Sequence, residues 1–280
     1  MLDGAKRRLA IFANWLFKAK FDITCWDIVY YLIRPSGSRM AQSNIVSIEE
    51  SGDLLKVTLK KIKDVLYWPK KFNVESLYLI VGETFDPHDW HYYEHPMTPV
   101  GPDDIVLDIG AAEGLFSLSI VNRCKNIFLI EPNPSFNASL HLTFSRYLQL
   151  GKVKILNYAL GSTEGTIRLT DDGGSSMVSE SGIACTMLTV DNLFEKENKI
   201  DFFKADVEGF ELEILRGARM VIMQHQPKIA ITCYHPGNNY EEIIRFVKEI
   251  VPDYRVYRKG ITSGTRPQPM MLHFYKEKTA

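Results

Sequence analysis

Val106-Leu-Asp-Ile-Gly-Ala-Ala-Glu-Gly114 decides how this chain is read. Val106, Leu107 and Ile109 make a short buried strand, and Gly110 and Gly114 then allow a sharp turn that brings backbone close to a ligand. The helix expected behind the turn offers free amide donors at its first residues. The spacing differs from the G-x-G-x-x-G of dinucleotide binders, because Ala111 and Ala112 stand where a pyrophosphate would press on the second glycine. Asp108, at the end of the strand, offers a carboxylate to an ammonium group, while Ala111 and Glu113 lie in the turn itself.

Downstream the same rhythm repeats. Apolar runs at Ile105–Ile109, Asn126–Ile130, Val153–Leu160, Ile200–Asp206 and Lys228–Tyr234 alternate with helical patterns, which predicts an α/β fold with a doubly wound, mostly parallel sheet. Phe210, Ile214, Ala218 and Ile222 make a sheet-facing stripe, and Thr189 to Phe194 reads as a capped helical turn. Thr166–Leu169 reads as an extra strand and Gly173–Ser176 as a loop. Tyr254–Arg258 and Met271–Tyr275 predict a terminal hairpin around Gly260–Gln268, giving a seven-stranded sheet whose last strand enters antiparallel.

Glu131 ends the second run 23 residues after Asp108 and is followed by Pro132 and Asn133. An acidic side chain at that strand end accepts both hydroxyls of a ribose, and a ribose without a phosphate cradle points to an adenosine-type cofactor. Asn157, Ala159 and Leu160, at the end of the third run, are expected along the adenine edge.

With 280 residues, 45% of them hydrophobic, the chain suffices for one substantial core plus an appended segment. Its 33 basic side chains balance 34 acidic ones, so the electrostatic footprint of a nucleic-acid binder is missing. The cysteines Cys25, Cys124, Cys185 and Cys233 show no close pairing, which points to a reducing cytoplasm. No apolar run is long enough for a spanning helix. Lys6, Arg7 and Arg8 precede the apolar stretch Leu9 to Phe17 as in a signal peptide, but Asn14, Lys18 and Lys20 interrupt it and no small-residue cleavage site follows. An amphipathic helix packed on the body is expected there, with peripheral membrane contact as the alternative.

Taken in order, V-L-D-x-G-A-x-x-G from Val106, I-E-P-N-P from Ile130, N-x-A-L-G-S from Asn157 and K-A-D-V-E-G-F-E-L-E-I-L-R-G-A from Lys204 resemble the motifs of the FkbM family of methyltransferases. The resemblance covers about residues 100–276, and its fourth motif is the most specific. It implies a class I methyltransferase (Rossmann-like) fold, S-adenosyl-L-methionine as methyl donor, and a hydroxyl acceptor, often on a sugar or natural product. The chain departs from the family at Ala112, where Asn is common, and at Ala205, where Ile is common. Residues 101–280 are then the methyltransferase domain. Residues 1–100 are an extension, helical near 5–33 and strand-like over Leu54–Leu66 and Ser76–Val81, that serves as a cap or as the dimerising element of a homodimer.

Methyl transfer is an in-line displacement, so the protein must align the acceptor oxygen, exclude water and accept a proton. Ligands of open α/β sheets gather at the carboxyl ends of strands, which brings forward Asp206, Glu208 and His235. His235 is the preferred general base because neutral imidazole is available near pH 7, with Asp206 orienting it or meeting the cofactor's ammonium. Glu208 is a second catalytic candidate or a cap for the helix that begins at Gly209. The cluster His88-Asp-Trp-His-Tyr-Tyr-Glu-His95 is expected as a lid whose aromatics face a sulfonium. Its histidines fit no familiar zinc spacing, and although Asp206, Glu208 and His235 form a set that magnesium would accept, no metal is expected. Two other functions compete: a nicotinamide-dependent Rossmann oxidoreductase, disfavoured by the missing middle glycine, and a cofactor-binding protein without catalysis.

Overall fold

The computed structural model describes residues 2–170, 182–194 and 199–277, so the loop expected at Gly173–Ser176 lies outside the described residues. Its strands are β1 (Ile45–Ser51), β2 (Leu54–Leu59), β3 (Leu66–Pro69), β4 (Ile105–Ile109), β5 (Asn126–Ile130), β6 (Val153–Leu156), β7 (Ala159–Leu160), β8 (Gly165–Leu169), β9 (Ile183–Leu188), β10 (Phe202–Ala205), β11 (Lys228–Thr232), β12 (Arg255–Lys259) and β13 (Met271–Tyr275). Seven of them form the central sheet in the order β12-β13-β11-β10-β4-β5-β6. β11, β10, β4, β5 and β6 run parallel, and β13 enters antiparallel between β11 and β12. The expected doubly wound sheet with an inserted last strand is therefore present.

The middle strands are buried on both faces, yet their residues still alternate. Val106, Phe202 and Ala230 join one hydrophobic cluster, while Leu107, Phe203 and Ile229 join the other. Helices Glu211–Arg216, Arg219–His225 and Tyr240–Ile250 cover the second face through Ile214, Ile222, Ile243 and Val247. The expected stripe is interrupted at Gly217, where a Cβ would lie 1.9 Å from the carbonyl oxygen of Gly161. The first face is covered by helices Leu115–Ile120 and Pro134–Thr143 together with the early part of the chain, whose Val57, Trp68, Leu77 and Val81 share that cluster. Each such side chain contributes roughly 1.5–3 kcal/mol by leaving water.

Two expectations are corrected. Ser76–Val81 is not a strand but lies within a helix, Val74–Phe85. Asn73 caps it by accepting from the Glu75 amide, and Leu77 and Val81, four apart, bury one face while Gly82 lets it approach Gly37 closely. The continuous apolarity of this run hid the helical period. The run Val153–Leu160 also breaks at Asn157 and Tyr158: β6 stays in the main sheet, whereas β7 pairs with β9 in a separate three-stranded sheet, β7-β9-β8.

Helix Leu2–Phe17 packs on the body as expected. Its buried Asn14 donates to the carbonyls of Thr262 and Gly264 at 3.0 and 2.9 Å, and Ile11 joins Ile28, Tyr31, Trp90 and Ile261 in a small third cluster. No described helix is long and apolar enough to cross a membrane.

Candidate functional site

The turn after β4 is fixed from both sides. The amides of Gly110 and Ala111 both donate to the Ile130 carbonyl, and Gly110 has φ 70°, with a Cβ there falling 2.0 Å from the Asp206 carbonyl oxygen. Ala112 also sits in the left-handed region, at φ 46°, a conformation that costs a non-glycine residue about 1 kcal/mol or more and needs outside support. Glu131 supplies it. One carboxylate oxygen accepts from the Ala112 amide and the other from the Asn133 amide, each at 2.8 Å. Burial pushes the Glu131 carboxyl up to about 7, against the pull of those two amides.

A cleft of about 650 Å³, including its open mouth, lies over this turn. Gly110, Glu131, Pro132, Ala159, Leu160, Asp206 and Glu208, all among the candidates read from the sequence, line it. The other candidates face elsewhere. Asp108 is fully buried beneath the turn, 2.9 Å from the Lys204 ammonium and accepting from the Ser117 hydroxyl. Glu113 turns inward and accepts from the Leu115 amide, and burial raises it to about 7. Ala111 is buried, Gly114 packs against Leu140 and Phe144, and Asn133 caps helix Pro134–Thr143. Asn157 is exposed; its neighbour Tyr158 lines the cleft instead. Phe136, Ile167, Leu169 and Phe210 complete an apolar wall that sequence reasoning missed, because the β7-β9-β8 sheet brings up Ile167 and Leu169.

At the carboxyl ends of β10 and β11 the cleft becomes charged. His235, 4% exposed, sets Nδ1 2.9 Å from Glu211 Oε1, and its Nε2 lies 3.3 Å from Glu208 Oε2 and 3.8 Å from Asp206 Oδ1. Nε2 is buried and has no hydrogen-bond partner. Glu211 is the residue the sequence reading lacked. It accepts from the Gly209 and Val207 amides, Asn238 and the Thr232 hydroxyl, so it rather than Glu208 takes up the free amides before the helix. Its position inside the fourth motif, two residues after Gly209, was the available signal.

Burial alone would push the imidazole of His235 down, but the bond to Glu211 and the charges of Asp206 and Glu208 raise it above its ordinary value. This corrects the expectation of a freely neutral imidazole. Asp206 is likewise resisted by burial, yet Lys204, His235, His91 and the hydrogen bond from Tyr93 hold its carboxyl below the usual range. Glu208 sits at φ 57°, so two of the chain's left-handed non-glycine residues line this one cleft. Asp206, Glu211 and His235 also bring donor atoms within 4.8 Å of one another.

The three histidines of the strip His88–His95 face different neighbours, and His91 with Glu83 and Asp89 brings possible ligand atoms within 4.8 Å of one another. His88 meets Tyr30, His91 pairs with Glu83 at 3.2 Å, and His95 stacks on Tyr257. Its Tyr93 lies behind Asp206 of the cleft lining, donating to Oδ2 at 2.5 Å with its ring 4.9 Å from the Lys204 ammonium.

Residues 108–257 match the family described as the methyltransferase FkbM domain. A hexuronic acid methyltransferase, AglP, from Haloferax volcanii is 28% identical over 159 residues, covering 52% of this chain and 62% of the relative. The crystal structure of methyltransferase FkbM from Methylobacillus flagellatus KT is similar in fold, with a TM-score of 0.50 and 20% identity over 91% of this chain and 62% of that one. The chain thus spans less than two thirds of the length of either protein.

Proposed function

This chain belongs to the FkbM methyltransferase family, and from that premise we propose that it transfers a methyl group from S-adenosyl-L-methionine to a hydroxyl of a sugar, glycolipid or related natural product. The observation that carries the reading is the meeting of three strand ends in one cleft: the turn after β4, Glu131 after β5 and Asp206 after β10. That the relative from Haloferax volcanii is a hexuronic acid methyltransferase favours a sugar acceptor.

The residues fit the donor. Each Glu131 oxygen accepts one amide, which leaves lone pairs for two ribose hydroxyls. Pro132, Tyr158, Ala159 and Leu160 offer an apolar slot for the adenine, and Asp206 an anionic end for the amino acid moiety. When bound, the cofactor supplies an electrophilic methyl group. The chain's own residues position the acceptor and take its proton. In that role His235 Nδ1–H donates to Glu211, which leaves Nε2 as the basic atom, and this buried nitrogen without a partner is where an acceptor hydroxyl donates. Asp206 and Glu208 then stabilise the imidazolium that forms. The apolar wall keeps water from the reacting atoms.

Calorimetry with S-adenosylhomocysteine, followed by transfer of radiolabelled methyl to hydroxylated glycans that include uronic acids, tests this function. Binding with transfer to a hydroxyl is expected. A chain that does not bind S-adenosylhomocysteine would end the proposal, and binding without any transfer would leave a cofactor-binding protein.

A further inference from the structure

A second cavity, of about 970 Å³, opens beside the strip His88–His95. Along that strip successive side chains part: Trp90 and Tyr92 line the cavity, whereas His91 lies against Tyr234 and Glu83, and Tyr93 bonds to Asp206. One side of the strip thus lines this cavity, while Tyr93 on the other reaches Asp206. Lys259, at the carboxyl end of β12, places the cavity on the same sheet edge, in register through Met271 with Thr232.

The lining is rich in rings: His88, Trp90, Tyr92, His95 and Tyr257. Tyr257 carries His95 stacked on it at 4.1 Å, and Trp90 lies flat on Tyr31 at 4.3 Å with the rings 4° apart, so both walls are held rigid. Lys259 is only 6% exposed. Its ammonium donates to the Tyr92 carbonyl at 2.6 Å, and among the described residues no carboxylate closes an ion pair with it. A buried cation in this condition is costly and is relieved by an anion. Burial draws Lys259 down to about 8 against the opposing charges of Asp89, Asp86 and Asp27, which leaves it charged at neutral pH with N–H groups to offer. The two carboxylates in the lining are engaged: Glu94 with Arg123 and the Val100 amide, Asp27 with the Thr24 cap.

We propose that this cavity is a subsite for an anionic saccharide unit, with the aromatic walls against the C–H faces of the sugar ring and Lys259 on its carboxylate or phosphate. A roomy concavity with rigid rings and one directed charge suits a ligand that has an apolar face, several hydroxyls and a single anionic group. The inference rests on the sugar-methylating reading for the ligand class, and it extends that reading to a part of the acceptor away from the reacting hydroxyl.

Ligand-observed NMR and calorimetry on the full chain, with D-glucuronate, D-glucose 6-phosphate and D-glucose as probes, test it. At least one anionic sugar should bind tenfold or more tightly than glucose, and the tighter of the two tells carboxylate from phosphate. Lys259→Met should lose at least tenfold in affinity for that sugar, Lys259→Arg should recover part of it, and both should keep wild-type affinity for S-adenosylhomocysteine. Tyr257→Leu, which leaves the buried cation in place, should weaken both anions and provides the check if Lys259→Met does not fold. Glucose binding as well as the anions, or an anionic sugar held equally by Lys259→Met, would overturn the subsite. A wild-type chain that holds S-adenosylhomocysteine but neither anion would overturn it while leaving the methyltransferase reading intact. Anion binding without S-adenosylhomocysteine binding would sink that reading instead.

Discussion

Glu211 Oε1 lies 2.9 Å from His235 Nδ1, and this one contact bears both on which imidazole nitrogen is left without a hydrogen-bond partner and on how readily the ring holds a proton. Removing the charge while keeping an acceptor, as in Glu211→Gln, takes away one of the interactions that raise His235. The acidic limb of the methyl-transfer pH profile should move to lower pH by about a unit, with a lower plateau because the base is weaker. An unmoved limb would show that the profile belongs to another group.

His235→Ala should keep S-adenosylhomocysteine affinity and lower the transfer rate by about 10² to 10⁴. In the wild type the rate should rise with pH through a value above 6.5, the ordinary imidazole value from which His235 is displaced upward. An unchanged rate in the variant would pass the role to Asp206 or Glu208.

Glu131 gives a pH effect on binding. The carboxyl titrates at about 7 in the ligand-free chain, and ribose hydroxyls donate to its ionised form. Affinity for S-adenosylhomocysteine should therefore fall about tenfold between pH 8 and pH 6. Glu131→Gln should bind weakly with a flat profile, and calorimetry at the two pH values decides.

Gly110→Ala puts a Cβ 2.0 Å from the Asp206 carbonyl oxygen at a φ of 70°. Because the obstacle is backbone, the whole β4–β10 edge must move, and urea unfolding should show a loss of at least about 2 kcal/mol. Gly165→Ala, with nothing within 4 Å of the new Cβ, is the control and should fall within about 0.5 kcal/mol of wild type. Equal stability of the two variants would mean that the turn relaxes freely.

His91 is pushed down by burial, but Glu83, Asp206 and Asp89 more than offset this and raise it from 6.5 to about 9. A raised imidazole contributes stability that is complete below pH 6.5 and is lost as pH climbs through 9. His91→Gln should flatten that decline by up to about 3 kcal/mol across the window. Identical slopes in urea titrations at pH 6 and pH 9.5 would exclude His91 as the source.

Legibility followed chemistry that repeats along the chain. The βα rhythm, the turn at Gly110 and the acid at Glu131 stand in local patterns, and the structure places each where that pattern puts it. Asp108 shows where pattern fails. A carboxylate at a strand end looks ligand-facing from sequence, but only the partner strand reveals that Lys204, buried in β10, claims it. Tyr93 was likewise hidden, since its partner Asp206 lies 113 residues away. Ser76–Val81 failed for a different reason: its unbroken apolar stretch from Leu77 to Val81 has no period to read until Asn73 and Gly82 show how the backbone turns and what it packs against.

The strip His88–His95 runs through turns, with the Asp89 amide donating to the Asp86 carbonyl and the Tyr92 amide to the Asp89 carbonyl, so each of its side chains is set against its own neighbour. Inserting or deleting one residue between Trp90 and Tyr93 would displace Tyr93 and leave Asp206 without its phenol. Length here is thus a constraint of the same rank as residue identity, and natural or engineered variants of this protein should carry their loop-length changes elsewhere on its surface.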